Sequence, residues 1–235
     1  MLDLHTHILP AMDDGSRDVD ESIAMLRAEK AAGVTCIAVT PHFYPHREDP
    51  ERFLDRRARR IEKLLSDERY PAAAPEMLLP GAEVAYYDGL SRMEGIERLC
   101  LKDTNALLIE MPFCRWNDRV LREIDTLQKT CDIQPILAHI ERFLQYQPKG
   151  LVEEMVSAGI MMQANASFFQ RWQTKRKAIK MLDRGLIHFL GTDCHNMSSR
   201  KPNMEETLKI IRKKPGQEAL RELAMNERRL LEGTR

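Results

Sequence analysis

The sequence predicts an α/β fold in which helices cover the faces of a largely parallel β-sheet. About seven apolar, β-branched segments alternate with segments of helical period along the 235-residue chain. The strand segments are almost continuously apolar, which is typical of strands that are buried on both faces. No G-x-G-x-x-G or Walker motif occurs, so the dinucleotide and P-loop classes lose support. The pattern fits either a closed barrel or an open doubly wound sheet.

The first strand–helix unit lies at the start of the chain. Residues 2–5 are predicted as a short buried strand because they are mainly apolar. Asp18-Val-Asp-Glu21 resembles a capping box, so a helix is expected to begin there, with apolar residues on one side. Gly33 is expected to end that helix, since glycine adopts the left-handed conformation that follows many helices.

The next unit is bounded by prolines. Residues 34–40 are apolar and β-branched and are predicted as a strand, which Pro41 ends. Residues 51–65 are predicted as a charged helix with an apolar stripe. The Pro/Ala-rich residues 70–75 are expected to form a loop before a strand at residues 77–84.

The rest of the chain repeats this alternation, because runs of apolar residues again separate amphipathic segments. Further strands are expected at residues 106–111, 133–138, 160–164 and 186–192. Further helices are expected at residues 120–129, 152–158 and 175–184 and within the charged segment 204–231.

Composition limits the class of protein. Lysine plus arginine and aspartate plus glutamate balance at 36 each, which argues against a strongly basic nucleic-acid platform. No apolar run approaches the roughly 18 residues of a membrane span. The five cysteines are odd in number and form no C-x-x-C, so a disulfide framework is not expected. We therefore expect a single domain, residues 1–235, in a reducing cytoplasm, without nucleic-acid binding or membrane insertion.

Two histidines near the N-terminus indicate a metal centre. His5 and His7 are two residues apart at the end of the first strand, so both imidazoles face the same side. Asp193 and His195 repeat this arrangement after the last strand. Between the two pairs, each further candidate ligand lies on a strand or directly after one: His42, Glu83, Glu110 and His139.

Carboxylates in apolar surroundings strengthen this interpretation. Glu83 and Glu110 each have apolar neighbours on both sides, and a carboxylate there is costly unless it is paired or bound to metal. Asp13 and Asp14 offer one more ligand, of which Asp14 is preferred. Nine ligands exceed what one ion takes, so two or three ions are expected. Histidine and carboxylate ligands without thiolate suit manganese, iron or zinc.

These motifs resemble the PHP (polymerase and histidinol phosphatase) family. The order His5-Thr-His7, Thr40-Pro-His42, Glu83, Glu110, His139 and Asp193-x-His195 carries the resemblance. Residues 5–15 (HTHILPAMDDG), 139–143 (HIERF) and 192–200 (TDCHNMSSR) are most similar to one branch. That branch comprises the bacterial manganese-dependent protein-tyrosine phosphatases of capsule and exopolysaccharide operons.

The resemblance implies a distorted seven-stranded (β/α) barrel with three divalent ions, most simply Mn²⁺, and a metal-activated hydroxide as nucleophile. The implied substrate is a phosphotyrosine protein, such as the tail of a bacterial tyrosine autokinase that controls capsule synthesis. Arg142 and Arg200 are the implied phosphate-binding arginines. The implied ligand groups are His5, His7, Glu83 and Asp193; Glu83, Glu110 and His139; and Asp14, His42 and His195.

Other functions share part of this pattern. A small-molecule phosphomonoesterase such as a histidinol phosphatase would use the same metals, and a non-catalytic metal-binding adaptor would need no substrate site. Cys194 and Arg200 have the C-x5-R spacing of cysteine-dependent phosphatases, but the intervening residues contain no glycine to curl around phosphate. Seven aromatic side chains near strand ends either line the entrance or pack in the core: Phe43, Tyr44, Phe113, Trp116, Phe168, Phe169 and Trp172.

Overall fold

The computed structural model describes residues 1–214 and 216–232. The predicted single domain, residues 1–235, also includes residue 215 and residues 233–235, which lie outside the described residues. The strands are β1 (Leu2–Thr6), β2 (Cys36–Val39), β3 (His42–Phe43), β4 (Met77–Pro80), β5 (Glu83–Ala85), β6 (Ala106–Glu110), β7 (Gln134–Leu137), β8 (Met161–Asn165) and β9 (Phe189–Gly191).

Helices follow most of the strands. They are α1 (Val19–Ala31), α2 (Pro50–Leu65), α3 (Tyr70–Ala73), α4 (Asp118–Thr130), α5 (Leu151–Ser157), α6 (Ala166–Gln170), α7 (Lys175–Asp183), α8 (Met204–Lys213) and α9 (Gln217–Glu232), with 3-10 turns at Leu90–Arg92, Ile96–Leu99 and Ile140–Arg142. Helix α1 begins as predicted, because the Asp18 side chain accepts a hydrogen bond from the Glu21 amide at 2.9 Å. Among the described helices, none is both long enough and apolar enough to cross a bilayer.

All neighbouring strands run parallel, as the alternating pattern predicts. One sheet has the order β1-β2-β4, and the other has the order β3-β5-β6-β7-β8-β9. β1 also lies beside the end of β9, where the His7 amide donates to the Cys194 carbonyl at 3.0 Å and the Asp193 amide donates to the His5 carbonyl at 2.8 Å. The result is a curled parallel sheet with helices packed on it.

Three predicted segments differ from the structure. The strand predicted at residues 34–40 is followed directly by β3, and the strand predicted at 77–84 is divided into β4 and β5. Hydrogen bonds continue across both breaks, from the Gly81 amide to the Val39 carbonyl and from the Glu83 amide to the Pro41 carbonyl. The predicted loop at residues 70–75 contains α3, because its proline falls in the first turn, where helices tolerate it.

Alternate strand residues form two separate apolar clusters. The smaller cluster joins residues of β1, β2, β6, β7 and β9, including Leu4, Ala38, Leu108 and Phe189. Side chains from the first and last strands touch there because the sheet curls around them. The larger cluster contains the intervening strand residues, such as Ile37, together with the buried faces of the helices.

Two carboxyl groups lie buried between β1 and α1. Asp3 accepts hydrogen bonds from the amide of Thr192 at 2.9 Å and from its hydroxyl at 2.6 Å, which ties β1 to the end of β9. Glu29 is also fully buried, and neither of its oxygens has an aligned hydrogen-bond partner in the described residues. Burial, followed by the nearby charge of Asp3, raises the pKa of Glu29 well above its usual value.

We expect Glu29→Gln to stabilise the protein increasingly as the pH rises. Because the pKa of Glu29 is higher in the folded than in the unfolded state, folding binds a proton, and the free energy of unfolding of the wild type falls above the unfolded pKa. Glutamine has no proton to lose. Urea unfolding at pH 5, 6.5 and 8 should show a stability difference that grows to about 1–3 kcal/mol.

The exposed Glu62 on α2 provides a matched control, since Glu62→Gln should change stability by less than about 0.5 kcal/mol at each pH. A Glu29→Gln protein that is less stable than the wild type at pH 8 would mean that Glu29 is a paired carboxylate.

Candidate metal centre

The structure brings all nine predicted ligand residues to one edge of the curled sheet. Eight of them lie at or just beyond the carboxyl ends of parallel strands, or at the start of the short strands β3 and β5, which continue from β2 and β4. The ninth, Asp14, lies in the loop between β1 and α1. The nitrogen and oxygen atoms of the nine residues form four overlapping groups, and within each group the atoms lie within 4.8 Å of one another. The groups are His7, Asp14, His42 and His195; His5, His7 and Asp193; His5, Glu83 and His139; and His42, Glu83 and Glu110.

Glu83 lies at the middle of these groups. Its Oε2 atom is 3.1 Å from His5 Nε2, 3.3 Å from His7 Nε2 and 2.9 Å from His42 Nδ1. Its Oε1 atom is 2.8 Å from His139 Nε2. Burial alone would raise the pKa of Glu83, but the charge of His5 and the hydrogen bond from His139 lower it well below the usual value.

Several buried atoms at the centre have no hydrogen-bond partner in the described part of the chain. They are His42 Nδ1, Glu83 Oε2, His139 Nδ1 and His195 Nε2. His42 Nδ1 and Glu83 Oε2 are only 2.9 Å apart, but their geometry is not that of a hydrogen bond. Buried polar atoms without partners are rare in proteins, and a divalent cation satisfies imidazole nitrogens and carboxylate oxygens at once. The residues present therefore fit a metal centre.

Strand β8 supplies two polar side chains that sequence reasoning missed. His5 Nδ1 donates to Gln163 Oε1 at 3.2 Å, and the same oxygen accepts the amide of His139 at 2.6 Å. Asn165 Nδ2 donates to Asp193 Oδ2 at 2.9 Å, and Asn165 Oδ1 accepts from Gln163 Nε2 at 3.0 Å. These bonds orient predicted ligands, as polar groups behind metal ligands commonly do. The available signal was a pair of amides two residues apart in an otherwise apolar strand.

The two neighbouring aspartates have different roles. Asp13 Oδ2 accepts a hydrogen bond from His7 Nδ1 at 2.7 Å and another from the His42 amide at 2.9 Å. Burial opposes the charge on His7, but Asp13 and Glu83 together raise the pKa of His7 to about 10. Asp14 is mostly exposed and lies 3.5 Å from the Nε2 atoms of both His42 and His195. Asp13 thus orients the imidazole of His7, and Asp14 places a carboxylate beside two imidazoles and 4.0 Å from Arg200 Nη1.

Two predicted ligands have left-handed backbone conformations. His139 has φ 30° and Asp193 has φ 53°, values that residues other than glycine rarely adopt. Each comes two residues after the last residue of a strand, so the unusual turn directs the side chain back over the strand ends. His195 is fixed in turn, because its Nδ1 donates to the Asp193 carbonyl at 2.9 Å. Backbone strain of this kind concentrates at functional sites.

The two predicted arginines flank the centre. Arg142 follows β7 in a 3-10 turn and donates to Asp193 Oδ2. Arg200 donates to Asp193 Oδ1 at 2.7 Å. Both guanidinium groups are about one-third exposed, so they lie at the border between the buried ligand groups and solvent. This is where an anionic substrate would meet positive charge.

Cys194 does not have the environment of a nucleophile. Its side chain is completely buried and belongs to the larger apolar cluster. Burial, followed by the charges of Glu29 and Asp3, raises the pKa of the Cys194 thiol well above its usual value. The C-x5-R spacing therefore does not form a thiolate site.

The aromatic candidates divide into two sets. Phe43, Trp116, Phe168 and Phe169 are buried in the core. Phe113 is 54% exposed and Trp172 is 82% exposed, and Tyr44 stacks on His42 with ring centroids 5.3 Å apart. Phe113 packs against Phe143, which in turn contacts the ring of His139. Three aromatic residues thus remain as candidates for contact with a substrate.

Fold and site together define a parallel α/β protein with a multi-ligand metal centre at its strand ends. A family model described as capsular polysaccharide synthesis, CpsB/CapC, matches residues 1–232. The chain belongs to this family, which confirms the branch that the motifs indicated.

Several proteins named as tyrosine-protein phosphatases are similar along nearly the whole chain. The tyrosine-protein phosphatase YwqE of Bacillus subtilis is 31% identical over 98% of this chain and 91% of its own length. The tyrosine-protein phosphatase CpsB of Streptococcus pneumoniae is 30% identical, with 97% of each chain covered. A solved structure, described as one of the "unique metal-dependent tyrosine phosphatases" YwqE and CpsB, has a TM-score of 0.85 at 29% identity and covers 100% of this chain and 96% of that chain.

We expect Gln163→Met to weaken metal binding about 10- to 100-fold, because it removes the acceptor that orients His5 and the backbone of His139. Affinity can be measured by competition of the purified protein with a fluorescent chelator. Gln134→Met, in β7, is the matched control, since that side chain bonds only backbone carbonyls of residues 135 and 159. Equal affinities for the two variants would show that Gln163 does not position ligands.

Proposed function

We propose that this chain is a metal-dependent protein-tyrosine phosphatase of capsular or exopolysaccharide synthesis. The observation that carries the proposal is the set of nine histidine and carboxylate side chains around Glu83, bordered by two arginines, in a member of the CpsB/CapC family. Similar proteins named tyrosine-protein phosphatases match this chain over nearly all of their own length.

The nine residues hold three divalent ions, most simply Mn²⁺, with Fe or Zn as alternatives. Bound ions of this kind supply Lewis acidity and lower the pKa of coordinated water toward ~7. The proposed ligand sets are His5, His7, Glu83 and Asp193; Glu83, Glu110 and His139; and Asp14, His42 and His195. The short distances from Glu83 to four imidazoles support its role as the shared ligand.

Arg142 and Arg200 bind the phosphate of the substrate. Each guanidinium presents a planar set of donors that matches phosphate oxygens better than an ammonium group does. Asp193 holds both groups at the rim of the centre before substrate arrives, so little reorganisation is needed. Their charges also offset the repulsion between a phosphomonoester dianion and a nucleophile.

Three further proposals concern the fold, the cellular location and the substrate. We propose that the strands close into a distorted seven-stranded barrel, which the hydrogen bonds between β1 and the end of β9 support. The protein works in a reducing, cytoplasmic location, which its five unpaired cysteines support. The substrate is a phosphotyrosine protein, such as the tail of a bacterial tyrosine autokinase, and the exposed ring of Phe113 is available to contact the tyrosyl group.

We expect hydrolysis of a phosphotyrosine peptide to be lost on chelation and restored by a divalent ion, with Mn²⁺ added back most effectively. Release of inorganic phosphate from the peptide and from histidinol phosphate should be compared with Mn²⁺, Fe²⁺, Zn²⁺ and Mg²⁺. Higher kcat/KM for the peptide identifies a protein phosphatase. Preference for histidinol phosphate would favour a small-molecule phosphatase, and no turnover with any ion would favour an adaptor.

Cys194→Ser provides the control for this experiment. The variant should keep its metal-dependent activity, because the thiol is buried away from the proposed ligands. Activity that persists in chelator but disappears in Cys194→Ser would overturn the metal mechanism.

We expect Arg142→Ala to lower kcat/KM about 10- to 1,000-fold, because it removes a charged donor from the phosphate site. Metal content, measured on the same samples, should not change. Arg119→Ala, at an exposed arginine on α4, is the matched control and should leave kinetics unchanged. Wild-type kinetics in Arg142→Ala would exclude the proposed role.

A further inference from the structure

We propose that a cavity beside Arg142 and Arg200 binds a second anionic group of the substrate, close to the phosphotyrosine along the same peptide. This inference rests on the proposed function, since it specifies the phosphopeptides that the centre prefers. The cavity, named here the side cavity, has a volume of ≈ 300 Å³. Arg142, Asp193 and Arg200, which belong to the rim of the metal centre, line it together with Arg171 and Lys201.

Positive charge dominates the side cavity. Four cationic side chains line it, against the two carboxylates of Asp193 and Glu206, which leaves an excess of two positive charges. Asp193 already pairs with Arg142 and Arg200. Arg171 and Lys201 are exposed and form no ion pair with any residue that the structure describes. Two cations in one concave surface without protein partners attract an anion from outside.

The walls of the side cavity are fixed by hydrogen bonds. Gln170 Nε2 donates to the Asn203 carbonyl at 2.8 Å and to Thr207 Oγ1 at 2.9 Å, which joins α6 to the start of α8. On the opposite side, Asn196 Oδ1 accepts the amides of Ser198 at 2.9 Å and Arg200 at 3.0 Å. A cavity that is already formed loses little conformational entropy when it binds a ligand.

One peptide substrate can reach the metal centre and the side cavity at the same time. Arg142, Asp193 and Arg200 belong to the rim of the metal centre and to the side cavity alike, so the two sites are adjacent. An extended peptide advances about 3.3 Å per residue, which puts the next two residues within about 7 Å of the phosphotyrosine. A carboxylate or a second phosphotyrosine at one of those positions has the required charge.

Steady-state kinetics on three matched peptides test the proposal. Each peptide contains one central phosphotyrosine: the first has neutral neighbours, the second has glutamates within two residues on either side, and the third has a second phosphotyrosine there. The wild type should have a lower KM for the two anionic peptides at similar kcat. Arg171→Gln combined with Lys201→Gln should raise those KM values about tenfold, because it removes two favourable charge interactions.

The same double variant should hydrolyse the neutral peptide and para-nitrophenyl phosphate as the wild type does, since its substitutions lie away from the reacting phosphate. Arg176→Gln combined with Lys213→Gln is the matched control, because it removes the same charge from exposed positions outside the side cavity. It should leave all KM values unchanged. If the Arg171→Gln and Lys201→Gln substitutions raise KM for the glutamate peptide, a carboxylate is a sufficient ligand of the side cavity. If they raise KM only for the peptide with two phosphotyrosines, the side cavity requires a phosphate.

The proposal is overturned if the wild type does not distinguish the three peptides, or if both double variants raise KM equally. The latter result would assign the effect to the general surface potential. Para-nitrophenyl phosphate separates this failure from failure of the proposed function. If the wild type hydrolyses para-nitrophenyl phosphate but has the same KM for all three peptides, the protein is a phosphatase whose side cavity binds no anion. If the wild type hydrolyses no phosphoester, the proposed function itself is wrong.

Discussion

The burial of one carboxylate among four imidazoles is the constraint on which the metal centre depends. Glu83 is almost completely removed from solvent, yet its two oxygens lie within 3.3 Å of nitrogen atoms from His5, His7, His42 and His139. So dense a set of buried polar atoms is unfavourable unless a charge of the opposite sign satisfies it. Cations shared between neutral imidazoles and carboxylates satisfy it, whereas hydrogen bonds alone leave buried atoms without partners.

The curled parallel sheet is what brings these groups together. Parallel strands place their carboxyl ends at one edge, and the curl sets β1 beside β9, so residues almost two hundred positions apart become neighbours. Local backbone features complete the arrangement. A Cβ atom at Gly15 would lie 2.2 Å from the His7 carbonyl, so only glycine allows the loop with Asp13 and Asp14 to return to the first strand.

The sequence predicted the candidate ligands better than the residues that orient them. His5 and His7 were recognisable from their spacing, and Glu83 was recognisable because its neighbours are apolar. Gln163 was not identified, because a pair of amides in a strand has many structural explanations and the partners of Gln163 are far away in the chain.

The main elements of the fold were predictable, but some of their boundaries were not. The apolar segments marked the positions of the strands, because their pattern follows directly from burial on both faces. Pro41 marked the end of β2, but neither β3 nor the break between β4 and β5 was predictable, since hydrogen bonds to neighbouring strands continue across both breaks. The short helix α3 was missed because proline and alanine in a run of six residues suit a loop and a helical first turn equally well.

Asp193 connects the two chemical parts of the site. It lies within 3.7 Å of His5 and His7 on one side and accepts hydrogen bonds from Arg142 and Arg200 on the other. Although burial opposes its ionisation, the charges of His5 and His7 keep the pKa of Asp193 well below its usual value. An ionised carboxylate at this position attracts cations from both directions. The same side chain can therefore hold an ion and keep two guanidinium groups at the rim, which links the formation of the metal centre to the placement of the phosphate site.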